Sequence, residues 1–159
     1  MTLVGKHVLA TGVWVLLFGV VYLVMDAQMQ PKVATVGEAT EIEILRSRDA
    51  HFYVAGKING QAVTFLVDTG ASTVSVSRSL AGRLGLPPGQ PVTVGTANGV
   101  AVGEEVTAQS VSLGGITIRD VRLLVLDGLR GEALLGQNVL RHLEVLQTAE
   151  RMHLKPRTP

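Results

Sequence analysis

The chain has no cysteine, which excludes disulfides and thiolate metal sites. That absence fits any compartment and selects none. An excess of charge is also missing: 14 Lys and Arg stand against 13 Asp and Glu, for a net charge of +1. No basic block stands out, so nucleic acid is not an expected partner. There is no G-x-G-x-x-G, and no Lys stands at P-loop spacing. Gly70-Ala71-Ser72-Thr73-Val74 misses the serine-hydrolase elbow, because Val74 occupies the position that needs Gly. His7, His51, His142 and His153 are scattered without metal-ligand spacing and read as surface or packing residues. No metal and no cofactor are expected. Neither a 20–50-residue repeat nor a low-complexity tract occurs.

Hydrophobicity is concentrated at one end. Val8 to Met25 carries no charge and, at about 18 residues, is long enough to cross a bilayer as a helix. Lys6 and His7 precede it and Asp26 follows. The positive-inside rule then places the N-terminus in the cytoplasm and the remainder outside. A cleaved signal peptide is the competing reading. The run exceeds the usual h-region, and no clear A-x-A site follows it. The expectation is residues 1–25 as a cytoplasmic stub and transmembrane anchor. Residues 26–40, polar with Pro31 and Gly37, read as a linker. Residues 41–159 are the folding domain, large enough for a single core. The localisation that follows is a single-pass protein of the inner, cytoplasmic membrane, with its domain on the periplasmic or extracytoplasmic side.

The domain reads as all-β, with short strands separated by turns. Glu41-Ile42-Glu43-Ile44 alternates as a strand does. Residues 51–58 and 62–67 are strands joined by Asn59-Gly60, the strongest short hairpin signal. Val74 and Val76 continue an extended pattern. Ser77 caps a short helix to Leu84, ended by Gly85 and Pro87-Pro88. Val92 to Thr96 is a strand that leads to a turn at Ala97-Asn98-Gly99. Val100 to Val102 and Glu105 to Val111 return from it. Gly114-Gly115 turns the chain into Ile116 to Leu126. Residues 136–142 form a second short helix, and 143–146 with 151–154 form a closing hairpin. Turns every 8–12 residues and few helices indicate a small β barrel or sandwich.

One segment carries chemistry: Phe65-Leu66-Val67-Asp68-Thr69-Gly70-Ala71-Ser72. A strand former run delivers one carboxylate to a tight turn flanked by hydroxyls. A strand is rigid and fixes where the carboxylate sits. Gly70 permits a left-handed backbone and close approach of a second chain. Thr69 and Ser72 are hydroxyl donors. An isolated Asp-Thr-Gly is ordinarily a turn; here the preceding strand and the following Ala71-Ser72 favour a site. Asp120 reads as a strand-end residue and Asp127, before Gly128, as a turn residue; neither has a second such context, so neither supplies a partner within the chain. Glu104-Glu105 reads as a solvated strand edge.

The segment resembles the active-site motif of retropepsin-like aspartic proteases, and the resemblance covers roughly residues 50–156. Asn59-Gly60 resembles the hairpin before the motif. Thr96-Ala97-Asn98-Gly99 resembles the tip of the flap, the hairpin that closes over substrate. Ala133-Leu134-Leu135-Gly136 resembles the hydrophobic-hydrophobic-Gly signature that packs beneath the loop, and Gln137 to Leu140 the helix after it. With the N-terminal span, the chain is most similar to membrane-anchored bacterial members.

The resemblance implies a retropepsin-like barrel with one or two short helices, preceded by a transmembrane helix. It implies a homodimeric endopeptidase in which Asp68 and its symmetry mate activate a water. Two adjacent carboxylates cannot both ionise readily and share a proton, for which the aspartic-protease dyad is the standing example. In these roles Thr69 hydrogen-bonds across the dimer, Gly70 permits the approach, and Ser72 bonds the outer carboxylate oxygen. Thr96, Ala97, Asn98 and Gly99 form the flap. Leu134, Leu135 and Gly136 support the loop. The partners implied are a peptide or protein substrate, a second copy, and a membrane through Val8 to Met25. Retroviral members often carry Arg after the second Gly; here the residue is Gln137. The alternative is a module of the same fold that binds peptides or scaffolds without turnover.

Overall fold

The computed structural model describes residues 3–29, 33–34, 41–96, 99–129 and 133–157, with side chains described for 11–27 of the first segment. The chain divides into two compact units, Met1–Pro31 and Lys32–Pro159. The first unit is helix α1 (Leu3–Met29). It continues past Met25, and its described side chains are exposed, including Trp14, Phe18 and Leu23. Among the described residues no helix is long and apolar enough to cross a membrane.

The second unit is built from strands, with two short helices. Its strands are β1 (Val33–Ala34), β2 (Ile42–Leu45), β3 (Tyr53–Ile58), β4 (Gln61–Val67), β5 (Val74–Ser77), β6 (Gln90–Thr96), β7 (Gly99–Leu113), β8 (Ile116–Leu126), β9 (Ala133–Leu135), β10 (Leu143–Gln147) and β11 (Arg151–Pro156). Helix α2 (Arg78–Arg83) follows β5, and α3 (Gln137–Leu140) follows β9. One sheet runs β1-β3-β4-β9-β5-β8-β7-β6, and an added β3–β7 pairing closes six of these strands into a barrel. Closure removes the open edges that a twisted sheet would otherwise present. The remaining strands form a second sheet in the order β10-β11-β2.

Local chemistry accounts for most of these elements. Asn59 and Gly60 both adopt positive φ, 50° and 81°, which gives the hairpin turn that matches strand twist. Ser77 caps α2, its hydroxyl accepting from Leu80 N at 3.2 Å. Gly85, at φ 61°, turns the chain after it. Alternate residues of the strands fill the interior. Val54, Ile58, Phe65, Val74, Val76, Leu123 and Leu135 are fully buried, and a core Phe such as Phe65 is worth about 3–5 kcal/mol against Ala.

Four expectations change. Residues 33–34, inside the stretch read as a linker, pair in parallel with Tyr53 and Val54. The return from the flap is one strand, because Gly103 is a crossing point and not a break. A Cβ there would lie 2.5 Å from the Val125 carbonyl oxygen. Ala133–Leu135 is a strand as well as a packing signature. Asp120 lies inside β8, at φ 52°, and not at a strand end.

Candidate active site

Strand β4 enters the loop that carries Asp68, and β5 leaves it. Both pair with β9: Phe65, Leu66 and Val67 lie beside Ala133, Leu134 and Leu135 in parallel, while Ser75 and Val76 lie beside Leu134 and Ala133 in antiparallel. A strand only three residues long therefore fixes both ends of the loop. It is also why Ala133 and Leu135 are buried. The Asp68 N–H donates to the Leu135 carbonyl at 3.1 Å, which extends this register to the candidate residue itself.

The loop is then tied from below. Gln137 N donates to Ala71 O at 2.8 Å and Asn138 N to Ser72 O at 3.0 Å. The Gln137 side-chain amide donates to Thr69 O at 3.0 Å. Asn138 accepts from Val74 N at 2.9 Å through Oδ1 and donates to Arg122 O at 2.8 Å through Nδ2. Gly136 makes this closeness possible: a Cβ on it would meet the Thr73 carbonyl carbon at 2.5 Å. Here glycine serves close packing, since its φ is −96°.

Asp68 is half-buried, whereas Thr69, Gly70 and Ser72 are exposed. Its Oδ1 accepts from the Gly70 N–H at 2.9 Å. Gly70 does not use the left-handed backbone expected of it. Its contribution is that N–H and the absence of a side chain, since a Cβ would sit 3.3 Å from Asp68 Oδ1. Among the described residues the hydroxyls of Thr69 and Ser72 make no hydrogen bond within the chain. The structure thus brings together Asp68, Thr69, Gly70 and Ser72 with Leu134, Leu135 and Gly136. Sequence reasoning missed Gln137 and Asn138 as loop-holding residues. The signal available was their polar character directly after an apolar strand and Gly136.

Strands β6 and β7 form a hairpin at the segment expected to be the flap, in register from Gln90 opposite Glu105 to Thr96 opposite Gly99. Thr96 Oγ1 donates to Gly99 O at 2.9 Å, and Gly99 has φ 110°. Ala97 and Asn98, also assigned to the tip, lie outside the described residues. β7 acquires its second neighbour, β8, only from Gly103 onward.

The carboxylates near the hairpin's base are engaged. Arg78 donates to Asp127 Oδ1 and, at 2.8 Å, to Glu104 Oε1. Gly89 N donates to Glu104 Oε2 at 3.0 Å. The Gly89 N–H, then Arg78, lowers the Glu104 carboxyl below its usual range. Glu104 is therefore not the solvated edge residue expected. Asp127, read as a turn residue, is also an ion-pair partner.

Near the start of β3, Tyr53 donates its hydroxyl to Asp49 Oδ2 at 2.7 Å. Burial and that carboxylate raise the Tyr53 hydroxyl to about 12, and the same bond holds Asp49 low.

A concavity of about 250 Å³ lies on the other sheet, lined by Glu41, Glu144, Leu146, His153 and Lys155. Lys155 pairs with Glu144 at 3.2 Å, and His153 Nδ1 lies 4.0 Å from Glu41 Oε1. It contains no residue of the Asp68 loop.

Comparison with known proteins decides the family. The model of the gag-polyprotein putative aspartyl protease family matches residues 54–142. The chain belongs to this aspartyl protease family. The matched span starts in β3 and ends just after α3, so it takes in the Asp68 loop, the flap and the Gly136 signature. A crystal structure of a retropepsin-like aspartic protease from Rickettsia conorii is similar with a TM-score of 0.63 and 31% identity, over 72% of this chain and 89% of that one. An uncharacterized protein in the cobV 5′ region of Sinorhizobium sp is 36% identical over 111 residues, 67% of this chain and 48% of that protein. An uncharacterized Rickettsia prowazekii protein is 44% identical over 48 residues, 30% of this chain and 21% of that protein. The match thus spans about half or less of these two relatives' length. The family's fold is the closed barrel described above.

Proposed function

We propose that this protein is a membrane-anchored, homodimeric aspartic endopeptidase whose site is completed by Asp68 from two copies of the chain. The observation that carries the reading is Asp68 itself. It stands at the start of a loop whose entering and leaving strands are both registered on β9 and whose backbone is held by α3. Such a loop presents a carboxylate with little freedom, as general acid–base chemistry requires. Within the family, one Asp-Thr-Gly per chain calls for a second chain.

In the reaction, one carboxylate takes a proton from water as the water oxygen bonds to the scissile carbonyl carbon. The other carboxyl gives its proton to the carbonyl oxygen. Collapse of the resulting diol breaks the C–N bond and passes a proton to the nitrogen, leaving an acid and an amine. Because the pair must retain one proton, activity favours acid to mildly acid pH. The Thr69 hydroxyl, exposed and without a hydrogen bond among the described residues, is available to the partner loop, and Ser72 to the outer carboxylate oxygen. Peptide seats beneath the flap.

Membrane anchoring rests on the uncharged run Val8 to Met25 and on the exposed apolar side chains of α1. Lys6 ahead of that run favours a domain on the extracytoplasmic side of the cytoplasmic membrane. Membrane flotation checks the anchor: the full chain should float with vesicles, and recovery in the soluble fraction would contradict it.

Activity is tested on the full chain in detergent micelles with a denatured protein and a peptide library, beside Asp68→Asn. Cleavage by the wild type alone is the expected result. Equal cleavage by both sinks the assignment. Peptide binding without cleavage at any pH would favour a binding module of the same fold.

A further inference from the structure

Glu104 lies one residue past the point where the flap stops being a free hairpin. From Gly99 to Val102, β7 pairs only with β6; from Gly103 it also pairs with β8, beginning opposite Leu126. A two-stranded ribbon alone is marginally stable. The ground below it is dense. A Cβ at Gly103 would lie 2.5 Å from Val125 O, and one at Gly89 would lie 2.4 Å from Glu105 O. Gly103 is therefore the close-packed junction between the hairpin and the barrel.

Three parts of the chain meet beside this junction through one guanidinium, and a fourth joins them through Glu104. Arg78 is the first residue of α2, where a cation opposes the helix dipole. Its place is accounted for by the two carboxylates it donates to, Glu104 on β7 and Asp127 just after β8. Glu104 spends its second oxygen on Gly89 N, immediately before β6. Both strands of the hairpin are thus joined to α2, and α2 follows β5 directly from the Asp68 loop.

We propose that Arg78 and Glu104 form a clamp that sets the opening of the flap relative to the Asp68 loop, which makes them positioning residues for peptide binding. This rests on the reading that the hairpin closes over a peptide. Exposed ion pairs contribute little to global stability. The effect is therefore confined to the hairpin, and Asp127 adds to it by holding the guanidinium.

The test uses the full chain in detergent, with Arg78→Gln, Glu104→Gln and the double substitution. Amide hydrogen exchange is read across 90–102 and across β4 and β5, and peptide cleavage is resolved into kcat and KM. Each single change should speed flap exchange by about tenfold with barrel exchange unchanged. KM should rise about three- to tenfold, with kcat within about twofold. The double variant should show less than the sum of the single effects, because both changes remove the shared Arg78–Glu104 contact. Unchanged flap exchange, a rise spread through the barrel, additive effects, or faster exchange with unaltered KM would each overturn the clamp. A wild type that cleaves nothing would instead overturn the protease reading, while exchange would still report on the clamp.

Discussion

Residues 68–73 and the hairpin 90–105 are held in different ways. The loop donates a hydrogen bond outward at Asp68 and accepts others at Thr69, Ala71 and Ser72, and its flanking strands share one neighbour. The upper hairpin is joined strand to strand and turns at Gly99, with Val100 and Val102 exposed at 77% and 69%. Precision in a carboxylate's position needs many independent ties. Admission and release of a chain-like substrate need few. The same sheet holds both regions, because β7 is long enough to run from the free hairpin into the barrel.

The first way to break that contrast is at the carboxylate. Asp68→Asn should lower peptide cleavage by about 10²–10⁴-fold or more, with stability altered by no more than about 0.5 kcal/mol. Kinetics and thermal unfolding on the same sample check both halves. Next is the ground under the loop. Gly136→Ala places a methyl against the Thr73 backbone and should cost about 1–3 kcal/mol, with cleavage falling as Asp68 shifts. Unchanged unfolding would show that the packing is looser than described. Gln137→Ala removes a single neutral hydrogen bond to Thr69 O, worth about 1 kcal/mol; kcat should fall more than KM rises. The flap should behave otherwise. Val100→Ser with Val102→Ser should leave stability within about 0.5 kcal/mol, and a larger loss in thermal unfolding would mean those side chains are packed.

The smallest effect lies outside both regions, at the start of β3. Tyr53 has its hydroxyl raised to about 12 by burial and by Asp49. The fold therefore favours the protonated phenol. That stabilisation is complete below the ordinary tyrosine range near 10 and is lost as pH rises through about 12. Asp49, held low, contributes above the ordinary carboxylate range and loses its contribution as pH falls through its depressed value. Ultraviolet titration of the wild type minus Tyr53→Phe should place this ionisation near 12, and Asp49→Asn should move it down.

The parts legible in the sequence are those encoded by neighbours. Asn59-Gly60 announces its own turn. Ser77 announces a cap, and Phe65 to Val67 running into Asp68 announces a strand that ends on a carboxylate. What escaped is encoded by distance. Ala133–Leu135 is too short to show a period, and its strand character comes from lying between β4 and β5. Gln137 finds Thr69 across 68 positions, and Glu104 finds Arg78 across 26. No local pattern distinguishes either from a solvated side chain. Gly103 looks like a break and is a point of close packing.

The central claim is that two chains share one site. It is tested most directly by mixing wild type with Asp68→Asn at fixed total concentration, allowing subunits to exchange, and measuring cleavage against the wild-type fraction. A shared site requires activity to follow the square of that fraction, so an equal mixture retains about one quarter of full activity. A straight line, with about half retained, would show that one chain suffices and would contradict the account.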